Sequence, residues 1–242
     1  MDYFEGDDRT NYQRMMDGDY YVAEGEEIPN ATKRAFELQN RFLELSRTDP
    51  AAAHEVLVDL LGSLGKDSFI RPPLAVDLGF NIHMGDRSFV NFNFVALDVA
   101  PITIGNDVLI GPNVQLLTPV HPLQPTPRRD KLESAKPITI KDNVWLGGGV
   151  IVCPGVTIGE NTVVGAGSVV TKDLPANVVA VGNPARVIKE LSEEGFDPRL
   201  ATHPDAVGAA GSGAGSAEPD SAGSERVGLD DAVQDGAELA VG

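Results

Sequence analysis

The segment QLLTPVHPLQPTPRR, residues 115–129, sets one imidazole, His121, among Pro119, Pro122, Pro125 and Pro127. Proline has no N–H to give to a β-ladder, so this stretch leaves any regular strand and forms a loop. Loops carried on a rigid scaffold are common places for chemistry. A free imidazole, with a pKa of about 6.5, can take the proton of an alcohol and turn a poor nucleophile into a useful one. On residue type alone His121 is either such a base or a surface histidine making one hydrogen bond. The other histidines are His54, His83 and His203. An open catalytic zinc site generally takes three protein ligands. His54 falls in a helical stretch and His203 in a polar tail, so at most two histidines remain for one. Cys153, the single cysteine, occupies a corner slot otherwise held by glycine and reads as a small buried residue, not a nucleophile.

The elements that must position His121 count in sixes. Ile140, Leu146, Val152, Ile158, Val164 and Val170 follow one another at that interval, and Ile138, Val144, Val150 and Val156 form a second row two residues earlier. Ile104 and Ile110 continue the first row, and Gly105, Gly111, Gly147, Gly159 and Gly165 follow it. An α-helix turns every 3.6 residues and cannot produce this beat. Short strands joined by tight bends can, with residues i and i+2 pointing inward and glycine or asparagine at the corner. The pattern predicts a parallel β-helix over about residues 70–184, with the histidine loop protruding at about 117–136. A looser stretch, 74–99, keeps the interval through Ile82, Ser88 and Phe94 and reads as the first coils.

Residues 1–69 read as an N-terminal helical segment. Asp49-Pro50 is a helix start, Ala53, Val56, Leu57, Leu60, Leu61 and Leu64 form an apolar stripe, and Gly62 and Gly65 supply a stop. Ala35, Leu38, Phe42 and Leu45 make a second stripe. ARVIKELSEEG predicts a short closing helix within 185–202. Residues 203–242 are low-complexity, with eight acids and one base, and predict a disordered acidic tail.

Composition narrows the function. Lys+Arg is 19 against Asp+Glu 36, a formal charge of −17, which argues against nucleic-acid or membrane-surface partners. One cysteine suits a reducing compartment. The N-terminus MDYFEGDDRTNYQRMM lacks the apolar core of a signal peptide, and no apolar run nears the roughly 20 residues of a membrane helix. The expectation is a cytoplasmic protein.

Several stretches together resemble the maltose/galactoside O-acetyltransferase group of the hexapeptide-repeat acyltransferases. They are GFNIHMGDRSFVNFNFVALD, TPVHP, KPITIKDNVWLGGGVIVCPGVTIGENTVVGAGSVVTKD and VGNPARVIK, within about residues 12–191. The resemblance implies a mostly β chain folded as a left-handed parallel β-helix, a homotrimer with active sites between subunits, acetyl-CoA as cosubstrate with no metal, and a small hydroxylated acceptor such as a sugar. It makes His121 the general base. It places Asn91, Asp98 and Asp77 at the acceptor, and Gly148, Ala166, Thr171, Lys172, Arg186 and Lys189 along coenzyme A. In the Gly147-Gly148-Gly149 run a backbone N–H can meet the oxyanion of the reaction, because glycine allows close approach. Galactoside relatives carry an acid where this chain has Ala23, beside Glu24. Glu133 could orient His121 but reads first as a solvated loop acid. Competing readings are an acyltransferase with a non-sugar acceptor such as serine, a zinc carbonic anhydrase of the same repeat class, and a non-catalytic scaffold.

Overall fold

The two apolar rows turn inward together. Ile138, Ile140, Val144, Leu146, Val150, Val152 and Ile158 are all 0% exposed in the computed structural model, which describes residues 3–192 and 194. They line a prism whose walls are three parallel sheets of short stacked strands. The first wall carries Ser63–Leu64, Ile82–Met84, Ile102–Ile104, Ile138–Ile140 and Thr157–Ile158. The second carries Phe69–Ile70, Phe89–Val90, Leu109–Ile110, Trp145–Leu146, Val163–Val164 and Val178–Val181. The third carries Leu74–Val76, Phe94–Leu97, Gln115–Leu117, Ile151–Val152 and Val169–Val170. The chain visits the walls in that order and returns.

Coil length changes along the axis. Leu146 pairs with Val164, eighteen positions on, the length of three hexapeptides. Met84 pairs with Ile104, twenty positions on, so the early coils are two residues longer. Within each early coil the extra pair falls after the third wall, at 77–81 and at 98–101. The histidine loop leaves the next coil at that same edge, between Gln115–Leu117 and Ile138–Ile140. One edge of the prism therefore takes every departure from the sixfold beat.

At the first–second edge, Asn143, Asn161 and Asn177 hold left-handed backbone, with φ of 56°, 59° and 60°. Asparagine tolerates that conformation better than most residues. Their amides also bond in a column, Asn143 Nδ2 donating to Asn161 Oδ1 at 2.9 Å and Asn161 Nδ2 to Asn177 Oδ1 at 2.8 Å. Gly65 is no helix stop: a Cβ there would strike the carbonyl of Gly85, so it lets two coils stack closely.

The helical segment is three helices, α1 (Asn11–Asp17), α2 (Glu27–Leu45) and α3 (Pro50–Leu60). Thr10 and Gln13 form a capping box on α1, and Asp49 Oδ1 caps α3 through Ala52 N–H at 3.1 Å. Ala35, Phe42, Ala53, Val56, Leu57 and Leu60 join the core cluster of the prism and so plug its first coil. Gln39 of α2 covers that coil's free edge, its amide bonding both Val76 N–H (2.9 Å) and Val76 C=O (3.2 Å).

Two sequence boundaries move. The first coil begins at Ser63–Leu64, whose partner is His83–Met84, and not near residue 70. The expected C-terminal helix is, over Arg186–Glu190, a strand antiparallel to Val178–Val181. The last coil's strand has an open backbone edge, and pairing satisfies it where a helix would not. The remainder of 185–202 beyond residue 194, and the acidic segment 203–242, lie outside the described residues. No helix among the described residues is long and apolar enough to cross a membrane.

Candidate active site

The histidine loop is a folded ribbon. Pro119–Val120 pairs antiparallel with Leu132–Ala135, which pairs in turn with Tyr21–Val22, and α4 (Pro125–Arg129) closes the far end. Thr118 fastens the root: its Oγ1 donates to Leu97 O at 2.6 Å and accepts Ala100 N–H at 3.0 Å. His121 follows directly. Its Nδ1 lies 3.2 Å from the Leu132 carbonyl. A carbonyl oxygen can only accept, so this bond puts the ring proton on Nδ1 and leaves the lone pair on Nε2. Nε2 faces Glu133 Oε2 at 3.9 Å, with the His121 side chain 51% exposed and Glu133 20%. Glu133 is thus drawn in against the imidazole, contrary to its reading as a solvated loop acid.

Beneath the loop, on the same third–first edge, stand Asp77 and Asp98. Asp98 is fully buried. Its Oδ1 accepts Asp77 N–H (3.1 Å) and Leu78 N–H (2.8 Å), and its Oδ2 accepts Asn81 N–H (3.2 Å). Burial raises its carboxyl above the ordinary value, against the pull of these backbone donors. Asp98 therefore locks the enlarged corner, a role distinct from the acceptor contact that the resemblance implies for it. Asp77 is half-buried and points into the space beside Glu133. Burial first, then repulsion from Asp98 and Glu133, pushes its carboxyl up to about 6. Tyr21 is buried at this place, and burial together with the Glu133 and Asp77 carboxylates raises its phenol.

The other expected residues fall elsewhere on the protomer. Asn91 sits at the second–third edge, where its Oδ1 accepts Phe92 N–H at 2.9 Å. Gly148 and Ala166 occupy the same edge in later coils. Gly147 and Gly149 donate to Val164 O and Pro112 O, both at 2.8 Å, whereas no partner is found among the described residues for Gly148 N–H. A Cβ at Gly147 would lie 2.6 Å from Ala166 N, so that glycine is required by stacking. Thr171 and the exposed Lys172 lie on the third–first edge, beyond the histidine loop along the axis. Arg186 and Lys189 are exposed on the antiparallel strand beside the second wall. The protomer thus brings His121, Asp77 and Asp98 to one edge and leaves Asn91, Gly148 and Ala166 on another.

Sequence reasoning missed Tyr21 and the work of Thr118. No local pattern could have found Tyr21, because its pairing with Glu133 joins two distant segments. Ala23 and Glu24 are both exposed. His83 stands on the outer face of the first wall, 3.3 Å from Ser63 Oγ, and His54 lies on α3. Cys153 is buried, which raises its thiol. Among the described residues no three His, Cys, Asp or Glu side chains converge as metal ligands.

Known proteins agree with this architecture. Residues 137–172 match the family described as bacterial transferase hexapeptide (six repeats). A galactoside O-acetyltransferase of Lactococcus lactis is 38% identical, the match covering 77% of this chain and 90% of that one. The crystal structure of a maltose O-acetyltransferase from Clostridium difficile 630 superposes with a TM-score of 0.75 at 42% identity, covering 76% of this chain and 99% of that one. A hexapeptide-repeat acetyltransferase from Vibrio cholerae, solved with acetyl coenzyme A, gives 0.72 at 37% identity and covers 76% and 100%. Similarity of this extent, over about three quarters of this chain and nine tenths or more of those relatives, settles the ancestry: the chain belongs to the left-handed β-helix hexapeptide acyltransferase family, in its maltose/galactoside O-acetyltransferase group.

Proposed function

We propose that the chain is an acetyl-CoA-dependent O-acetyltransferase that acts on a hydroxyl of a sugar or similar small acceptor, with His121 as general base. The observation that carries this reading is the His121 tautomer. With Nδ1–H held by the Leu132 carbonyl, Nε2 is presented half-exposed and ready to accept a proton. Nε2 removes the acceptor's hydroxyl proton as the oxygen attacks the thioester carbonyl. The oxyanion forms against the Gly148 N–H, and the intermediate collapses with loss of the coenzyme A thiol, which takes up a proton. Glu133, beside Nε2, stabilises the imidazolium in between. The relatives solved as maltose O-acetyltransferase and with acetyl coenzyme A support the substrate pair.

In this reading the working unit is a homotrimer. The outer face of the second wall is an apolar ladder: Phe69, Phe89, Leu109, Trp145 and Val163 stack in register, with Leu109 50% and Trp145 53% exposed. The third wall adds Ala75, Val95, Ile151 and Val169, interrupted by Gln115, whereas the first presents Ser63, His83, Thr103, Thr139 and Thr157. These two largely apolar walls flank the edge of Asn91 and Gly148, and a large exposed apolar surface marks an interface. Packing that edge beside a neighbour's histidine loop assembles the residues that one protomer keeps apart. The acceptor is a small molecule, not a nucleic acid or membrane, and the lone buried Cys153 suits the cytoplasm.

The test is thiol release from acetyl-CoA with a panel of maltose, glucose and methyl galactoside. His121→Ala should lose about 10²–10⁴-fold in kcat while the assembly stays intact. Unchanged turnover in that variant refutes the base.

A further inference from the structure

The N-terminal segment reaches the histidine loop at two points. Tyr3 Oη donates to Asp130 Oδ2 at 2.8 Å, on the exposed side of the loop. The second point is the pairing of Tyr21–Val22 with Leu132–Glu133. Tyr21 and Glu133 are direct partners in this antiparallel register, so their side chains stand on the same side of the ribbon. Glu133 in turn is the residue whose carboxylate lies 3.9 Å from His121 Nε2.

Resting on the reading of His121 as base, we infer that Tyr21 is a positioning residue: its buried hydroxyl holds the Glu133 carboxylate against His121 Nε2. Three features carry this. Tyr21 is 2% exposed, so its hydroxyl has little water to bond and must find a partner inside. Glu133 sits on the strand whose Leu132 carbonyl fixes His121 Nδ1, so one ribbon sets both the tautomer and the facing charge. Another charged group at this place, Asp77, repels Glu133. Without a donor, Glu133 would swing toward solvent, away from Asp77 and from the imidazole. The Glu133 charge also contributes to the raised Tyr21 phenol, as expected of facing groups.

Tyr21→Phe keeps the ring and removes the hydroxyl, so the buried packing survives. It is to be compared with Glu133→Gln, the double variant and Tyr3→Phe, which removes the outer tie alone. Two readouts apply to the full chain. The first is kcat and KM for acetyl-CoA and maltose. The second needs no acceptor: the rate of His121 carbethoxylation by diethylpyrocarbonate at pH 7, located by mass spectrometry. In that attack Nε2 gains positive charge as it does on taking a proton, so a facing carboxylate speeds both. Tyr21→Phe and Glu133→Gln should each slow carbethoxylation about three- to tenfold and lower kcat by a similar factor, leaving the KM for acetyl-CoA unchanged. The double variant should be no slower than the worse single one, the mark of residues acting as a unit. Tyr3→Phe should match the parent. A Tyr21→Phe chain that reacts like the parent while Glu133→Gln is slow, or an additive double variant, overturns the inference. Failure of the base reading looks different: His121→Ala would retain thiol release.

Discussion

Replacing Asp98 separates the two roles open to that residue. If it contacts an acceptor, Asp98→Asn raises the acceptor KM and leaves the fold alone. If it locks the corner, the cost appears in stability. The carboxylate accepts three backbone N–H groups, at 3.1, 2.8 and 3.2 Å, from a position with no exposure to water. Asparagine can keep Oδ1 for Asp77 and Leu78, but its NH2 then confronts the Asn81 N–H, donor against donor. One hydrogen bond to a charged acceptor is lost, about 1.5–3 kcal/mol, and one buried N–H is stranded, about 1–3 kcal/mol. Against this, a buried charge is removed, and the raised Asp98 carboxyl says that charge is held at some cost. The net is about 2–3 kcal/mol for Asp98→Asn, and about 3–5 kcal/mol for Asp98→Ala, which strands all three donors. For a domain of this size that is about 5–10 °C in melting temperature for the asparagine variant. Thermal scans at one fixed protein concentration, which assembly requires, read the effect beside acceptor kinetics. A chain with parental melting and only a raised acceptor KM would refute the lock.

Three further outcomes follow from other parts of the fold. Asp77 titrates near 6 when folded against an ordinary 3.8, so the folded chain binds that proton more tightly than the unfolded one. Its contribution to stability is complete below pH about 4 and is lost as pH rises through about 6, after which the charge is a standing penalty. Asp77→Asn should therefore raise stability at pH 8 by about 1–3 kcal/mol, and by less at pH 4.5, while weakening acceptor turnover; equal gains at both pH values in denaturant titrations would contradict this. Trp145→Glu puts a charge into the apolar ladder and should shift sedimentation from trimer to monomer, an effect of several kcal/mol per interface; a trimer that persists would place the interface elsewhere. Gly147→Ala forces a Cβ within 2.6 Å of backbone and should destabilise, whereas at Gly148 the nearest atoms are at 3.4 Å. Gly148→Ala should melt like the parent and, because alanine keeps the backbone N–H, retain acetyl transfer; melting lowered as in Gly147→Ala would contradict this.

The β-helix was legible because its inward residues carry their own address. Ile138 and Ile140 must both be apolar in every coil, and nothing distant alters that. The edges were less legible. Arg186–Glu190 carries a short apolar-polar pattern that suits helix or strand, and the open edge of Val178–Val181 decided between them. Asp98 reads from sequence as one more polar corner residue; only the twenty-residue coil, which opens the corner at 77–81, turns its carboxylate inward to serve three N–H groups. His121 could be singled out, because prolines mark its loop, but not the tautomer, which depends on a carbonyl eleven positions away.

Placement of the chemistry follows from where a prism can be altered. A coil of eighteen residues has its two inward rows filled and its corners tied, so an insertion within a wall would put polar atoms into the core. At an edge, added residues lead outward and the rows stay in step. Here all three additions share one edge, and the second and third are each tied to the one before: Asp98 to the corner at 77–81, and Thr118 to the corner at 97–100. The column of ties ends at the root of the ribbon that carries His121. Asp77 stands on the tied corner and Glu133 on the ribbon, which is why two carboxylates that repel one another remain close, with Glu133 against the imidazole. The same economy of edges leaves Asn91 and Gly148 one wall away, and in the proposed trimer it is a second copy of the chain that completes the site. A monomeric variant with the Asp98 and Thr118 ties intact should therefore keep the reactive His121 and yet transfer no acetyl group.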